Sequence, residues 1–66
     1  MSHIIPIIKF SLYDRSVTLW VSNQNGNRLW IVSDDSTGKS IDCVGFEQAS
    51  AVFERFVKEL RRDFLI

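Results

Sequence analysis

The apolar residues of this 66-residue sequence change their spacing once along the chain. Up to about residue 44, apolar and polar residues alternate, which is typical of strands that bury one side. Beyond that point the apolar residues recur at spacings of three and four, which is typical of a helix: Ala49, Val52, Phe53, Phe56, Val57, Leu60 and Phe64. The pattern therefore predicts a sheet covered by one C-terminal helix.

Residues 1–66 are expected to form a single small domain, because a chain of this length has room for one core. We expect strands at about residues 4–13, 16–22, 28–33 and 40–44 and a helix at about 47–64. The predicted fold class is α+β: a four-stranded antiparallel meander followed by one C-terminal helix packed on one sheet face, β-β-β-β-α in two layers.

The first turn is predicted at Asp14 and Arg15. This register places apolar residues opposite one another: Leu12 and Val17, Phe10 and Leu19, Ile8 and Val21. Asp-Arg is not a favoured two-residue loop, since only Asp readily takes a positive φ. The pairing pattern therefore predicts which residues share a face, but it predicts the residues of the turn less well.

The second turn, around Asn25 and Gly26, admits two registers. A two-residue type I′ loop gives one set of partners, Val21 with Trp30 and Trp20 with Ile31. A three-residue loop gives another, Leu19 with Ile31, Val21 with Leu29 and Trp20 with Trp30. We prefer the three-residue loop, because it separates apolar from polar residues more cleanly.

One helix covers only one face of a sheet, so the preferred register predicts an uncovered face that carries both tryptophans. Small soluble proteins rarely leave an aromatic patch exposed without a use. We therefore expect a partner-binding face formed by Lys9, Tyr13, Trp20, Arg28, Trp30 and Val32, with Asp42 and Val44 beside them. Alternatively, the tryptophans stack as a cross-strand pair that stabilises the sheet, or lie under the N-terminal arm.

The composition predicts a cytoplasmic protein without a membrane segment. Eight basic and eight acidic residues cancel, so no overall field attracts nucleic acid or a membrane. The apolar opening segment lacks a basic leading region, and no apolar run approaches the ~20 residues that span a bilayer. The single cysteine, Cys43, forms no internal disulfide and is expected in the core.

The segment from Thr37 to Ser40 resembles the end of a phosphate-binding loop. Ser33 stands where such a loop has its first glycine, and a strand follows instead of a helix, so we expect an ordinary hairpin loop. The nearby acidic residues lack the spacing of a calcium loop: Asp34, Asp35 and Asp42. We expect no metal and no cofactor.

Catalytic residues are not expected. The one histidine, His3, lies near the N-terminus, and Cys43 has no basic neighbour that would favour a thiolate. The sequence therefore favours a non-catalytic module that binds another protein or a second copy of itself, since Trp, Tyr and Arg concentrate binding energy in interfaces. Apolar residues near both ends favour docking or a homodimer: Ile4, Ile5, Ile7, Leu65 and Ile66.

The alternative partner is single-stranded nucleic acid, with Trp20 and Trp30 stacking on bases and Lys9 and Arg28 meeting phosphates. The order of elements, a four-stranded meander and one helix, resembles that of the PC4-like single-strand binders. Short length and the lack of catalytic motifs also resemble the small inhibitor proteins encoded by phages and mobile elements. That second resemblance implies action by occupying a surface of a larger protein.

Overall fold

The computed structural model describes residues 3–24 and 26–64. Four strands precede one helix: β1 (His3–Leu12), β2 (Arg15–Gln24), β3 (Asn27–Asp34), β4 (Lys39–Cys43) and α1 (Phe46–Phe64). The strands form one antiparallel sheet in the order β1-β2-β3-β4, and α1 packs on one side of it. The predicted β-β-β-β-α meander is confirmed. Two parts of the sequence-based prediction, the turn residue Asn25 and the apolar end Leu65-Ile66, lie outside the described residues.

The helix forms where the apolar period changes. Glu47 lies in its first turn, and Arg61 and Arg62 lie in its last turn, so the charges complement the helix dipole at both ends. The first helical hydrogen bond runs from the Ala49 N–H to the Gly45 carbonyl at 3.0 Å. Its apolar stripe faces the sheet and packs on it, with these residues buried or half-buried: Ala49, Val52, Phe53, Phe56, Val57 and Leu60.

The core lies between α1 and the middle strands. Its buried members are Val17, Leu19, Val32, Cys43, Ala49, Phe56 and Leu60. Cys43 is 1% exposed and holds the core position that the alternation predicts. Val32 is also fully buried, so its predicted place on the uncovered face is wrong. The cause is the register of the second hairpin.

That second hairpin turns through two residues. Gln24 pairs with Asn27, and Gly26 takes a φ of +81°, as the second position of a type I′ turn requires. The three-residue register that the pattern favours is therefore wrong. The observed partners are Val21 with Trp30, Trp20 with Ile31 and Leu19 with Val32. This one-residue slip moves every side chain of β3 to the opposite face.

The first turn lies one residue earlier than predicted. Leu12 pairs with Arg15, so the loop is Tyr13 and Asp14, and Tyr13 takes a φ of +58°. The register shifts by two residues, and an even shift leaves the side chains of both strands on their predicted faces. The core-side pairs become Phe10 with Val17 and Ile8 with Leu19.

A β-bulge interrupts β1. Pro6 pairs with Trp20 and Ile8 pairs with Leu19, which leaves Ile7 as the extra residue. The bulge changes the side on which the preceding residues lie, so Ile4 and Pro6 share a face with Lys9 instead of with Ile8. Edge strands with a proline and a bulge resist edge-to-edge pairing, and β1 has both.

Candidate functional site

The sheet has one side that α1 does not cover, called here the open face. Each strand contributes alternate residues to it according to the observed pairing: Ile4, Pro6, Lys9 and Ser11 from β1; Ser16, Thr18, Trp20 and Ser22 from β2; Leu29, Ile31 and Ser33 from β3; Ser40 and Asp42 from β4. The apolar members concentrate towards the Asn25-Gly26 turn, and the hydroxyl residues towards the other end. The face therefore has an apolar half and a polar half.

The apolar half contains a shallow depression. It has a volume of about 440 Å³ and is lined by Ile4, Trp20, Ile31 and Ser33. Ile4 is 57% exposed, Leu29 two strands away in the same cross-sheet row is also exposed, and Trp20 and Ile31 are half-buried. Three neighbouring strands, β1, β2 and β3, thus form one apolar surface that faces solvent.

Trp20 is held in place within this surface. Its indole Nε1–H donates a hydrogen bond to the Ser33 hydroxyl at 2.9 Å. Ser33 is the pairing partner of Thr18, two residues along β2 from Trp20, so the indole extends along the sheet instead of standing away from it. Thr18 is 2% exposed although it lies on the open face. The tryptophan therefore presents a fixed ring with its polar atom already satisfied.

The open face carries two opposite charges, Lys9 in the polar half at the β1 edge and Asp42 in the row of Trp20 and Ile31 at the β4 edge. Lys9 on β1 lies in one cross-sheet row with Thr18, Ser33 and Ser40. Asp42 on β4 lies in the neighbouring row, and both charged residues are exposed. The side chains that follow Lys9 across its own row are short hydroxyls, so the middle of the polar half is flat.

The structure separates the predicted site residues. Only Lys9 and Trp20 lie on the open face. Arg28, Trp30 and Val32 lie on the helix side, and the Trp30 ring meets the Phe46 ring edge-on with centroids 5.2 Å apart. Tyr13 lies in the first turn with its ring centroid 4.9 Å from that of Phe64. The predicted face with both tryptophans is therefore wrong, because the two-residue turn places Trp20 and Trp30 on opposite sides.

Sequence reasoning missed Ile4, Leu29 and Ile31 as members of the open face. The signal that identifies the two β3 residues is the Asn25-Gly26 pair, which favours a two-residue turn over the alternation of β3 itself. For Ile4, the relevant sequence feature is Pro6. A proline is typical of an irregular edge strand, but it does not show where the bulge lies and so does not predict the face on which Ile4 lies.

A second exposed apolar area lies on the helix side and the outer edge of β1. It comprises Ile5, Ile7 and Ile8, all of them exposed. Ile5 is 54% exposed, because α1 packs mainly on the other strands. We call these three β1 residues the β1 patch.

The far end of the molecule is tied together by Arg15. Its guanidinium donates to Asp63 at 2.8 Å and to Asp34 at 3.4 Å, and it lies 6.0 Å from the Phe64 ring centroid. The hydrogen bond to Asp63, together with attraction from Asp34, raises the pKa of Arg15 above its ordinary value against the opposing effect of desolvation. This cluster joins β2, β3 and the end of α1, which is a structural role.

The loop from residue 35 to 38 is a hairpin connection. The Gly38 N–H donates to the Asp34 carbonyl at 2.9 Å, and the Ser36 N–H donates to the Asp34 carboxylate at 3.0 Å. Lys39 and Ser40 begin β4, so no helix follows this loop. It therefore lacks the helix N-terminus on which a phosphate-binding loop depends.

Within residues 3–24 and 26–64, no three His, Cys, Asp or Glu side chains converge as a metal site would require. In the same ranges, no helix has the length and apolar character needed to cross a bilayer. The chain matches no protein-family model, no curated protein and no solved structure. The chemistry that the open face offers is apolar contact around a fixed indole, flanked by one positive and one negative charge.

Proposed function

We propose that the protein is a small non-catalytic module that binds another protein, or a second copy of itself, through the open face. The observation that carries this proposal is the apolar depression between Ile4, Trp20 and Ile31. Exposed apolar surface of this kind on a small domain is typical of an interaction site. A depression walled by an immobilised tryptophan also suits the centre of an interface, where a few rigid anchors supply most of the binding energy.

The energy available from this surface is appreciable for so small a protein. Burying a whole isoleucine side chain stabilises an association by about 1.5–3 kcal/mol. Ile4 is 57% exposed, so covering the rest of it contributes about half of that amount. Because Trp20 is already held by Ser33, little conformational entropy is lost when a partner covers it.

Binding by surface occupation is compatible with an inhibitor or an adaptor, and it needs no turnover. We propose the cytoplasm as the compartment, because Cys43 is a free buried thiol. The proposal includes an inhibitor of the type encoded by phages and mobile elements, for which small size and an uncovered sheet face are the supporting features.

The alternative function, binding of single-stranded nucleic acid, requires two aromatic rings on one face on which bases can stack, and the open face has only one of the two tryptophans. It needs Trp20 and Trp30 side by side, and the two rings lie on opposite sides of the sheet. Arg28 also lies on the helix side, which leaves Lys9 as the one predicted phosphate contact on the open face. Protein binding is therefore the function that the open face supports best.

The test compares three immobilised proteins: the wild type, Ile4→Asp and Arg55→Asp. Ile4 lies on the open face, whereas Arg55 is an exposed residue of α1 and serves as the control. We expect every specific association, with a cellular protein or with free copies of the chain, to be lost in Ile4→Asp and kept in Arg55→Asp. Circular dichroism confirms that each variant is folded. Equal binding by all three proteins, or binding by none, would refute the proposal.

A further inference from the structure

The open face is self-complementary under a two-fold rotation. The two-fold axis runs parallel to the strands, in front of this face and between β2 and β3. Rotation about it places β1 against β4 of a second copy and β2 against β3 of a second copy. Residues of one cross-sheet row remain level with that row in the second copy, so the observed pairing specifies which side chains meet.

The apolar side chains meet apolar side chains in this arrangement. Trp20 and Ile31 are pairing partners on β2 and β3, so Trp20 of each copy packs on Ile31 of the other. Ile4 lies in the next row with Ser22 and Leu29, and Val44, the first residue after β4, extends the alternation of Ser40 and Asp42 towards that row. Val44 is 86% exposed and Ile4 is 57% exposed, and the rotation buries the two against each other.

The charges meet opposite charges. Lys9 lies on β1 and Asp42 lies on β4, at opposite edges of the open face and one row apart. The rotation brings the β1 edge over the β4 edge, so Lys9 of each copy comes within reach of Asp42 of the other. Neighbouring rows on one face are ~7 Å apart, a distance that a lysine side chain bridges. The symmetric pair therefore contains two such contacts.

The remaining surface permits close approach. Thr18, Ser33 and Ser40 have short side chains, and stacked sheets pack face to face at ~10 Å. The described residues measure 44 Å by 21 Å across their two longest directions. A standard interface buries about 800 Å² on each partner, and these extents of the whole molecule bound the open face at the same order of area.

We propose that the open face binds a second copy of the chain, forming a two-fold symmetric sheet sandwich with both helices on the outside. This inference rests on the proposed function, because it assigns the occupant of the same surface. It leaves the β1 patch free.

The first test uses two adjacent isoleucines that lie on opposite sides of β1. Ile4 is 57% exposed on the open face, and Ile5 is 54% exposed on the helix side. Sedimentation across a range of concentrations should give the wild type and Ile5→Asp twice the 7.6 kDa of one chain. In Ile4→Asp the dissociation constant should rise about tenfold or more. Equal dissociation constants for the two variants would overturn the proposed dimer.

The second test exchanges the charges. Lys9→Asp places two acidic groups together at each contact, and Asp42→Lys places two basic groups together, so each single change should raise the dissociation constant about tenfold. The double variant, Lys9→Asp with Asp42→Lys, restores opposite charges and should return to within about threefold of the wild type. Additive weakening in the double variant would refute the two-fold arrangement.

Different results would overturn the dimer and the binding function of the open face. A wild-type protein that stays monomeric at all concentrations, yet captures another protein in a manner that Ile4→Asp abolishes, overturns the dimer and upholds the binding face. A monomeric protein whose captures are unaffected by Ile4→Asp overturns both.

Discussion

Trp20 and Trp30 have different roles because their side chains lie on opposite sides of one sheet. Trp30 packs on the core and against the Phe46 ring, so its surroundings belong to the folded chain itself. Trp20 lies over the open face, held by one hydrogen bond to Ser33. A residue that stabilises the fold and a residue that presents a binding surface can therefore be distinguished by truncating each in turn.

Trp30→Ala should lower the free energy of unfolding by about 2–3 kcal/mol, less than the cost of truncating a fully buried aromatic because Trp30 is half-buried. Trp20→Ala should lower it by about 1 kcal/mol, the worth of one hydrogen bond and partial packing, while weakening self-association more. Urea unfolding at low protein concentration measures the first effect, and sedimentation measures the second. The opposite order of stabilities would mean that Trp20, not Trp30, lies on the helix side.

At the scale of the elements, the change of apolar period predicts the sheet, the helix and their order, but not which side of β3 is buried. Leu29, Trp30, Ile31 and Val32 are four consecutive apolar residues, so either face of β3 provides an apolar set. Only the turn chemistry at Gly26 distinguishes the two registers, and tertiary packing of Trp30 on α1 reinforces it. The run from Ile4 to Ile8 is ambiguous for the same reason, since apolar residues on both sides conceal the bulge. The sequence therefore predicts that one face of the sheet is uncovered, but it does not predict which residues form that face.

Gly26→Ala tests the turn on which this register depends. Gly26 has a φ of +81° and no neighbouring atoms within 4 Å of an added Cβ, so the cost comes from the left-handed backbone alone. We expect a loss of about 1–2 kcal/mol in the free energy of unfolding. Gly45→Ala is the control, because Gly45 also has open space but no left-handed φ; since Gly45 caps the N-terminus of α1, this change should cost less, about 0.5 kcal/mol. Similar losses at both positions would argue against the two-residue turn.

At the scale of the whole molecule, one helix and one sheet leave half of the sheet surface uncovered. A chain of 66 residues buries only about 60% of its unfolded surface, so it has little stability to spare. Covering the open face with a second copy adds buried apolar area without lengthening the chain. The β1 patch, comprising Ile5, Ile7 and Ile8, lies outside the interface of that dimer.

The two indole N–H signals in an NMR dilution series distinguish association through the open face from association through the helix side, because Trp20 reports on the first and Trp30 on the second. Association through the open face should move the Trp20 signal as the protein is concentrated from the micromolar to the millimolar range, together with the backbone signals of Ile4 and Ile31. The Trp30 signal should stay in place. A Trp30 signal that moves while Trp20 does not, or two signals that never change in a protein that sediments as a monomer, would rule out association through the open face.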